Sequence, residues 1–301
     1  MAGLRIPLMI LIIASLVVYL VALFLNYQAV IGIGIFTQPT AAVSDKYYVN
    51  MTPAGYTFSI WGVIYTWLMA MLIYCQTTLC RTNKTGPVYL YPQVLTATFY
   101  AVFILVLFTN ISWLLLWDRE LLQYSSAMCA LMLVSLIVCL ATSHKELYNN
   151  LEALRQNDQQ DDINAIRVLV HNGVAIYASW VVVATFLNLC TVLVYWVGAE
   201  METACVICLT IITVAIIAWF IVENFVIEKY ARYTLTNYPT LLWALAGILA
   251  GNYNPELTSS IVTVVMTVLV AILFIVRIVL VVYRSITQPL SAQSTDTKLL
   301  I

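Results

Sequence analysis

The stretch Thr52–Tyr65, TPAGYTFSIWGVIY, decides how the rest of the chain is read. It gathers two tyrosines, a phenylalanine and a tryptophan at the start of an apolar segment. Thr52 suits a helix cap and Pro53 the first turn, where a missing N–H costs no hydrogen bond. Trp61 and Tyr65 then share one helical face, with Leu68 and Leu72 below them. Such a stripe is a bilayer anchor, ordinary packing, or the wall of a binding site.

Composition sets the class. Of 301 residues, 63% are hydrophobic and 9% charged, with a mean hydropathy of +0.95. Soluble domains carry roughly a quarter charged residues, so this is an all-α integral membrane protein. A net charge of −1 offers no footprint for nucleic acid. The seven cysteines lie almost wholly in apolar segments and read as small packing residues rather than a disulfide framework. Cys205 and Cys208, spaced CxxC, are read the same way.

Eight segments approach the roughly 20 residues that a helix needs to cross a bilayer: 7–35, 56–78, 93–117, 121–142, 168–197, 203–222, 236–252 and 258–283. The seventh is short and carries Gly247 and Gly251. With eight spans, the two termini and the 2–3, 4–5 and 6–7 loops share one side, which then holds eleven of the thirteen basic residues. Only Lys46 and Arg119 fall opposite. The positive-inside rule makes both termini cytoplasmic. Residues 37–55 form a long outer loop able to fold over the mouth of a bundle. Residues 143–167, with Leu147, Leu151 and Leu154 at helical spacing, read as a cytoplasmic extension of the fourth span and then a solvated linker.

Catalytic chemistry is missing from the membrane interior. No carboxylate pair, metal-spaced cluster, phosphate loop or triad can be assembled, so neither an enzyme nor a cofactor is expected. Glu223, near the end of the sixth span, is a candidate pathway residue able to pair with Lys229 or a cation, while Arg277 is expected to snorkel to the headgroups. What the interior does hold is aromatics and amides. Asn110, Trp113 and Trp117 share a face of the third span; Tyr177, Trp180, Ala184 and Asn188 share a face of the fifth. Trp117 and Trp196 sit at span ends, where an interfacial belt explains them.

The order TPAGYTFSIWGVIY, FTNISWLLLW, IYASWVVVATFLNL resembles the TspO/MBR family, the tryptophan-rich sensory or translocator proteins. The resemblance covers about residues 7–197. It implies a five-helix bundle around a pocket for a flat apolar ligand such as a tetrapyrrole or a sterol, lined by Trp61, Tyr65, Asn110, Trp113, Tyr177, Trp180, Ala184 and Asn188. The chain departs from the family pattern in having Phe58-x-x-Trp61 for Phe-x-x-x-Trp, Ile176 for a proline, and three further helices. A sterol-recognition-like pattern, Val226-x-x-x-Tyr230-x-Arg232, occurs at the end of the sixth span rather than the fifth.

The expected organisation is therefore a TspO-like five-helix bundle over 1–200, three additional transmembrane helices over 201–285, and a cytoplasmic tail over 286–301. The expected function is a receptor, sensor or carrier. The alternatives are a secondary transporter that uses Glu223, or a non-catalytic scaffold. Asn50 heads a glycosylation sequon on the outer face. Asp296, Leu300 and Ile301 have the spacing of an acidic dileucine signal, which implies a sorting adaptor and endosomal, lysosomal or plasma-membrane residence. The remaining expected partners are membrane lipid and a second copy of the chain in a homodimer, without nucleic acid.

Overall fold

A charge-free apolar chain in lipid has one economical solution, the helix, because every backbone group must find its partner within the segment. The computed structural model describes residues 5–290 and follows that rule. Helix α1 spans Arg5–Ile31 and a short α2 spans Thr40–Lys46. A tight turn over Gly55–Ser59 opens α3, Ile60–Cys80. Then come α4, Ala97–Asp118, and α5, Leu122–Asn149. Short helices α6, Leu151–Gln156, and α7, Gln160–Ala165, lead through a π-helical turn at Ile166–His171 into α8, Asn172–Val192. Helix α9, Met201–Ile221, ends in a π turn at Val222–Val226 and is followed by α10, Glu228–Ala231, α11, Asn237–Asn252, and α12, Thr258–Thr287. Among the described residues the only sheet is a hairpin of β1, Thr82–Asn83, and β2, Gly86–Pro87.

Among the described residues seven helices are long and apolar enough to cross a membrane, and they coincide with seven of the eight expected spans. The eighth, expected at 236–252, is α11. A helix does form there, but its 16 residues measure only about 24 Å at 1.5 Å per residue, short of a hydrocarbon core of roughly 30 Å. Helix α11 is wedged between α8 and α12. The first span also stops early, at Ile31, because Gly32 and Gly34 take left-handed backbone angles (φ of 76° and 69°). A Cβ on Gly32 would lie 2.5 Å from the Pro39 nitrogen.

The helices do not choose their inward face by hydrophobicity, because lipid is as apolar as leucine. In α1 the buried stripe is Leu8, Ile12, Ser15, Tyr19, Ala22, Asn26 and Ala29, alternately four and three residues apart. Ile10, Ile13, Val17, Leu20 and Phe24 are exposed on the opposite side. Small and polar residues mark the packed face, which meets α3 and α4. In α12 the buried set is Ser259, Ser260, Thr263, Met266, Val270, Arg277 and Val281. Among the described residues the main hydrophobic core draws on α1, on α3 through α9, and on α11 and α12.

Four expectations are corrected here. Thr52 does not cap α3, since its hydroxyl accepts from the Val49 N–H (3.2 Å) and the helix is entered at Gly55. Residues 143–167 are not a solvated linker, because Leu147, Leu151 and Leu154 are all buried in the core. Trp117 is not an interfacial tryptophan exposed to lipid. It packs beneath α2 against Val43, Leu122 and Val192, and its Nε1–H donates to the Thr40 carbonyl at 3.3 Å. Arg277 does not snorkel, since it is 0% exposed.

Candidate functional site

The opening stripe faces a cavity of about 590 Å³, within the range of small-molecule sites. Its walls come from α1 (Leu23, Asn26, Tyr27, Val30), from α3 (Trp61, Tyr65) and from α4 (Trp113, Leu114). The outer loop closes it with Thr40, Ala41, Ser44 and Asp45 of α2 and with Thr52, Pro53, Gly55 and Phe58.

The sequence-predicted residues fall into two layers. Trp61, Tyr65 and Trp113 line the cavity. Behind them stand the others. Trp61 stacks on Tyr65 (centroids 5.4 Å, 20°) and meets Tyr177 and Trp180 edge-on at 5.7 and 6.2 Å. Trp113 donates to Asn188 Oδ1 at 3.1 Å, while the Asn188 amide donates to the Ala184 carbonyl at 2.8 Å. Tyr177, Trp180, Ala184 and Asn188 therefore fix the rings that line the space.

The amide in the cavity wall is Asn26, backed by Asn110. Asn26 Nδ2 donates to Asn110 Oδ1 and to the Ala22 carbonyl, both at 2.8 Å. Asn110 Nδ2 and the Tyr65 hydroxyl are left buried without partners. Tyr65 and Asn26 line the cavity, and Asn110 is reached through Asn26. Asn26 was not singled out from the sequence. The signal was available, since it is a lone amide inside an uncharged apolar helix.

The loop over the cavity is held from two sides. On one, Asp118 accepts from the Thr37 and Gln38 N–H groups at 2.8 and 3.2 Å. Glu120 accepts from Lys46 Nζ at 2.5 Å and from the Tyr47 hydroxyl at 2.8 Å. Those two bonds hold the Glu120 carboxyl down at about 2. On the other side, the C-terminal helices grip residues 47–59. Trp243 Nε1 donates to the Thr57 carbonyl (2.9 Å), Asn252 Nδ2 to the Thr52 carbonyl (2.7 Å), and the Ala54 N–H to the Gly247 carbonyl (2.9 Å). A Cβ on Gly247 would lie 2.1 Å from Thr57 Oγ1, so only glycine allows this approach. Asn50 donates to Glu202 of α9 at 3.3 Å, and Glu202 also accepts from the Ser259 N–H and hydroxyl.

Glu223 sits elsewhere, fully buried between α9, α11 and α12. It accepts from the Tyr238 hydroxyl, and its charge partner is Arg277 (3.7 Å) rather than Lys229. Arg277 also donates to Asn224 Oδ1 and to the Ala231 carbonyl, both at 2.8 Å. The π turn at Val222–Val226 brings Glu223 and Asn224, neighbours in sequence, onto Arg277 together. The sorting residues Asp296, Leu300 and Ile301 lie outside the described residues. Among the described residues no group of three or more His, Cys, Asp or Glu side chains can hold a metal.

Residues 11–280 match the family model described as TSPO-like protein. The match runs through α12 and so takes in the three C-terminal helices as well as the five-helix region. No curated protein and no solved structure matches the chain.

Proposed function

The chain belongs to the TSPO-like protein family, and we propose that it is a non-enzymatic membrane receptor or carrier for a flat apolar ligand of tetrapyrrole or sterol type. The observation that carries this reading is the 590 Å³ cavity walled by Trp61, Tyr65 and Trp113, with Asn26, bonded to Asn110, as its amide. Rigid rings supply stacking area, and the unpaired Asn110 amide and Tyr65 hydroxyl supply orientation. Residues 1–200 form the receptor bundle, and residues 201–285 brace the loop that covers it. In this reading α11 is an eighth, partial span, both termini are cytoplasmic, and the protein resides in endosomal, lysosomal or plasma membrane as a single copy or a homodimer.

Purified protein titrated with a haem-like tetrapyrrole and, separately, with a sterol tests the proposal. One of them should quench tryptophan fluorescence saturably, and Trp61→Ala should weaken the response. Silence from both overturns it. A transporter reading draws on a different observation: Glu223 Oε2, Arg277 Nε and Trp219 Nε1 are buried without hydrogen-bond partners. Solute flux abolished by Glu223→Gln would favour that reading over the receptor.

A further inference from the structure

A second cleft lies on the face that carries most of the basic residues, remote in sequence from the aromatic cavity. It forms where the end of α5 (His144, Leu147, Tyr148), the π turn before α8 (Arg167, His171) and the segment after α9 (Lys229, Tyr230, Tyr233) converge. Its chemistry is one-sided. Arg167 and Lys229 make no ion pair and donate no hydrogen bond among the described residues. The nearby Glu228 carboxylate is already held by Arg232 (2.5 Å). The Arg167 guanidinium lies 4.2 Å from the Tyr233 ring centroid, and the Lys229 ammonium 4.9 and 5.0 Å from those of Tyr148 and Tyr230. These contacts position both cations but use none of their N–H groups. The imidazole of His171, only 2% exposed, lines the same cleft with Nε2 unpartnered. His144 stands against it (centroids 4.1 Å), its own Nε2 engaged with Thr234 at 2.8 Å.

Two unneutralised cations, three tyrosyl hydroxyls and a buried imidazole make a surface rich in donors and poor in acceptors. We infer that this cleft binds the phosphate of an acidic phospholipid headgroup. A guanidinium and an ammonium on either side of a phosphate each form charge-assisted hydrogen bonds, and the hydroxyls complete its shell. Two observations select a lipid over a soluble phosphate compound. The enclosed space is only about 10 Å³, so the cleft seats the outer oxygens of a headgroup and does not enclose a whole molecule. It also lies beside the end of the apolar helix span Met201–Val226, where exposed Val168, Phe225 and Val226 offer apolar surface to acyl chains. Arg232, the basic residue of the sterol-like pattern, is 3% exposed and committed to Glu228, so it does not serve that pattern.

The test uses the full chain purified in detergent, with short-chain phosphatidic acid, phosphatidylcholine and inorganic phosphate as separate probes and thermal unfolding as readout. Phosphatidic acid should raise the melting temperature saturably, and phosphatidylcholine should not. Arg167→Gln with Lys229→Gln should weaken the phosphatidic acid midpoint about tenfold or more. Lys145→Gln, an exposed cation outside the cleft, should leave it unchanged. Tyr233→Phe keeps the ring over Arg167 and removes one hydroxyl, so it should weaken binding by a smaller factor without lowering basal stability. If the double variant does not fold, Tyr233→Phe decides, and an unchanged midpoint overturns the site. An unresponsive wild type, or a folded double variant that binds like wild type, also overturns it. Inorganic phosphate binding as tightly as phosphatidic acid overturns the assignment to lipid.

Discussion

The two polar regions inside this membrane protein use their polar groups in opposite ways. Around the aromatic cavity, the Asn110 amide and the Tyr65 hydroxyl are neutral groups buried without hydrogen-bond partners, Tyr65 in the cavity wall and Asn110 behind it. Between α9, α11 and α12, Arg277 and Glu223 are closed in at 0% exposure, with Asn224, Tyr238 and two backbone carbonyls around them. An unmatched neutral amide costs about 1–3 kcal/mol. A buried charge costs several kcal/mol more and needs a counter-charge within the protein, which Glu223 and Arg277 give each other although Glu223 Oε2 and Arg277 Nε make no hydrogen bond. The first region thus leaves neutral groups around a cavity, and the second ties α9, α11 and α12 together.

Breaking the ion pair should have the largest effect. Arg277→Leu strands the Glu223 carboxylate and should lower stability by about 3–5 kcal/mol. The double change Glu223→Gln, Arg277→Met should recover most of that loss in detergent unfolding. A double-variant loss equal to the sum of the two single-variant losses would show that the two residues are not coupled. On the cavity side, Trp61→Ala removes the ring stacked on Tyr65 and should weaken the ligand by about 2 kcal/mol, roughly thirtyfold. Equilibrium fluorescence titration measures it.

The link between the regions is tested at Gly247. A methyl group there collides with the buried Thr57 side chain. Gly247→Ala should therefore cost about 1–2 kcal/mol of stability and alter ligand affinity although it touches no cavity residue. Gly251→Ala, whose Cβ would sit 3.1 Å from the Ala54 nitrogen, should do less. The smallest effect is pH-dependent. The Glu120 carboxyl is depressed to about 2 by Lys46 and Tyr47. Its contribution is therefore fully present above the ordinary carboxylate range and is lost as pH falls from there toward about 2. Hydrogen exchange across Thr40–Lys46 should quicken over that window, and Glu120→Gln should remove the dependence. Because the pair is exposed, the gain is slight.

Three of the rings that line the cavity were legible in the sequence. Trp61, Tyr65 and Trp113 stood out because large aromatics at helical spacing beside a proline-rich loop have few other uses in a membrane chain. Asn188 and Trp180 were also legible, but as neighbours of one another. Which ring faced the space and which stood behind it depended on helix rotation. Asn26 was overlooked because a single amide carries no spacing pattern. Arg277 was misjudged because distance from a span end suggested an escape to water, and its partners come from residues 46 to 54 positions away.

The chain's chemistry alone determined a helical membrane protein with its spans in order and its aromatic stripe in place, because apolar length and backbone hydrogen bonding are local properties. Tertiary structure alone decided which face of each helix turned inward. In lipid an apolar side chain gains almost nothing by leaving acyl chains for another helix, so the choice fell to small residues, interhelical hydrogen bonds and one buried ion pair. It also decided the part played by α11. Gly247 and Gly251 read as weaknesses in a short span, and they are the two positions where the covering loop comes close enough to be held.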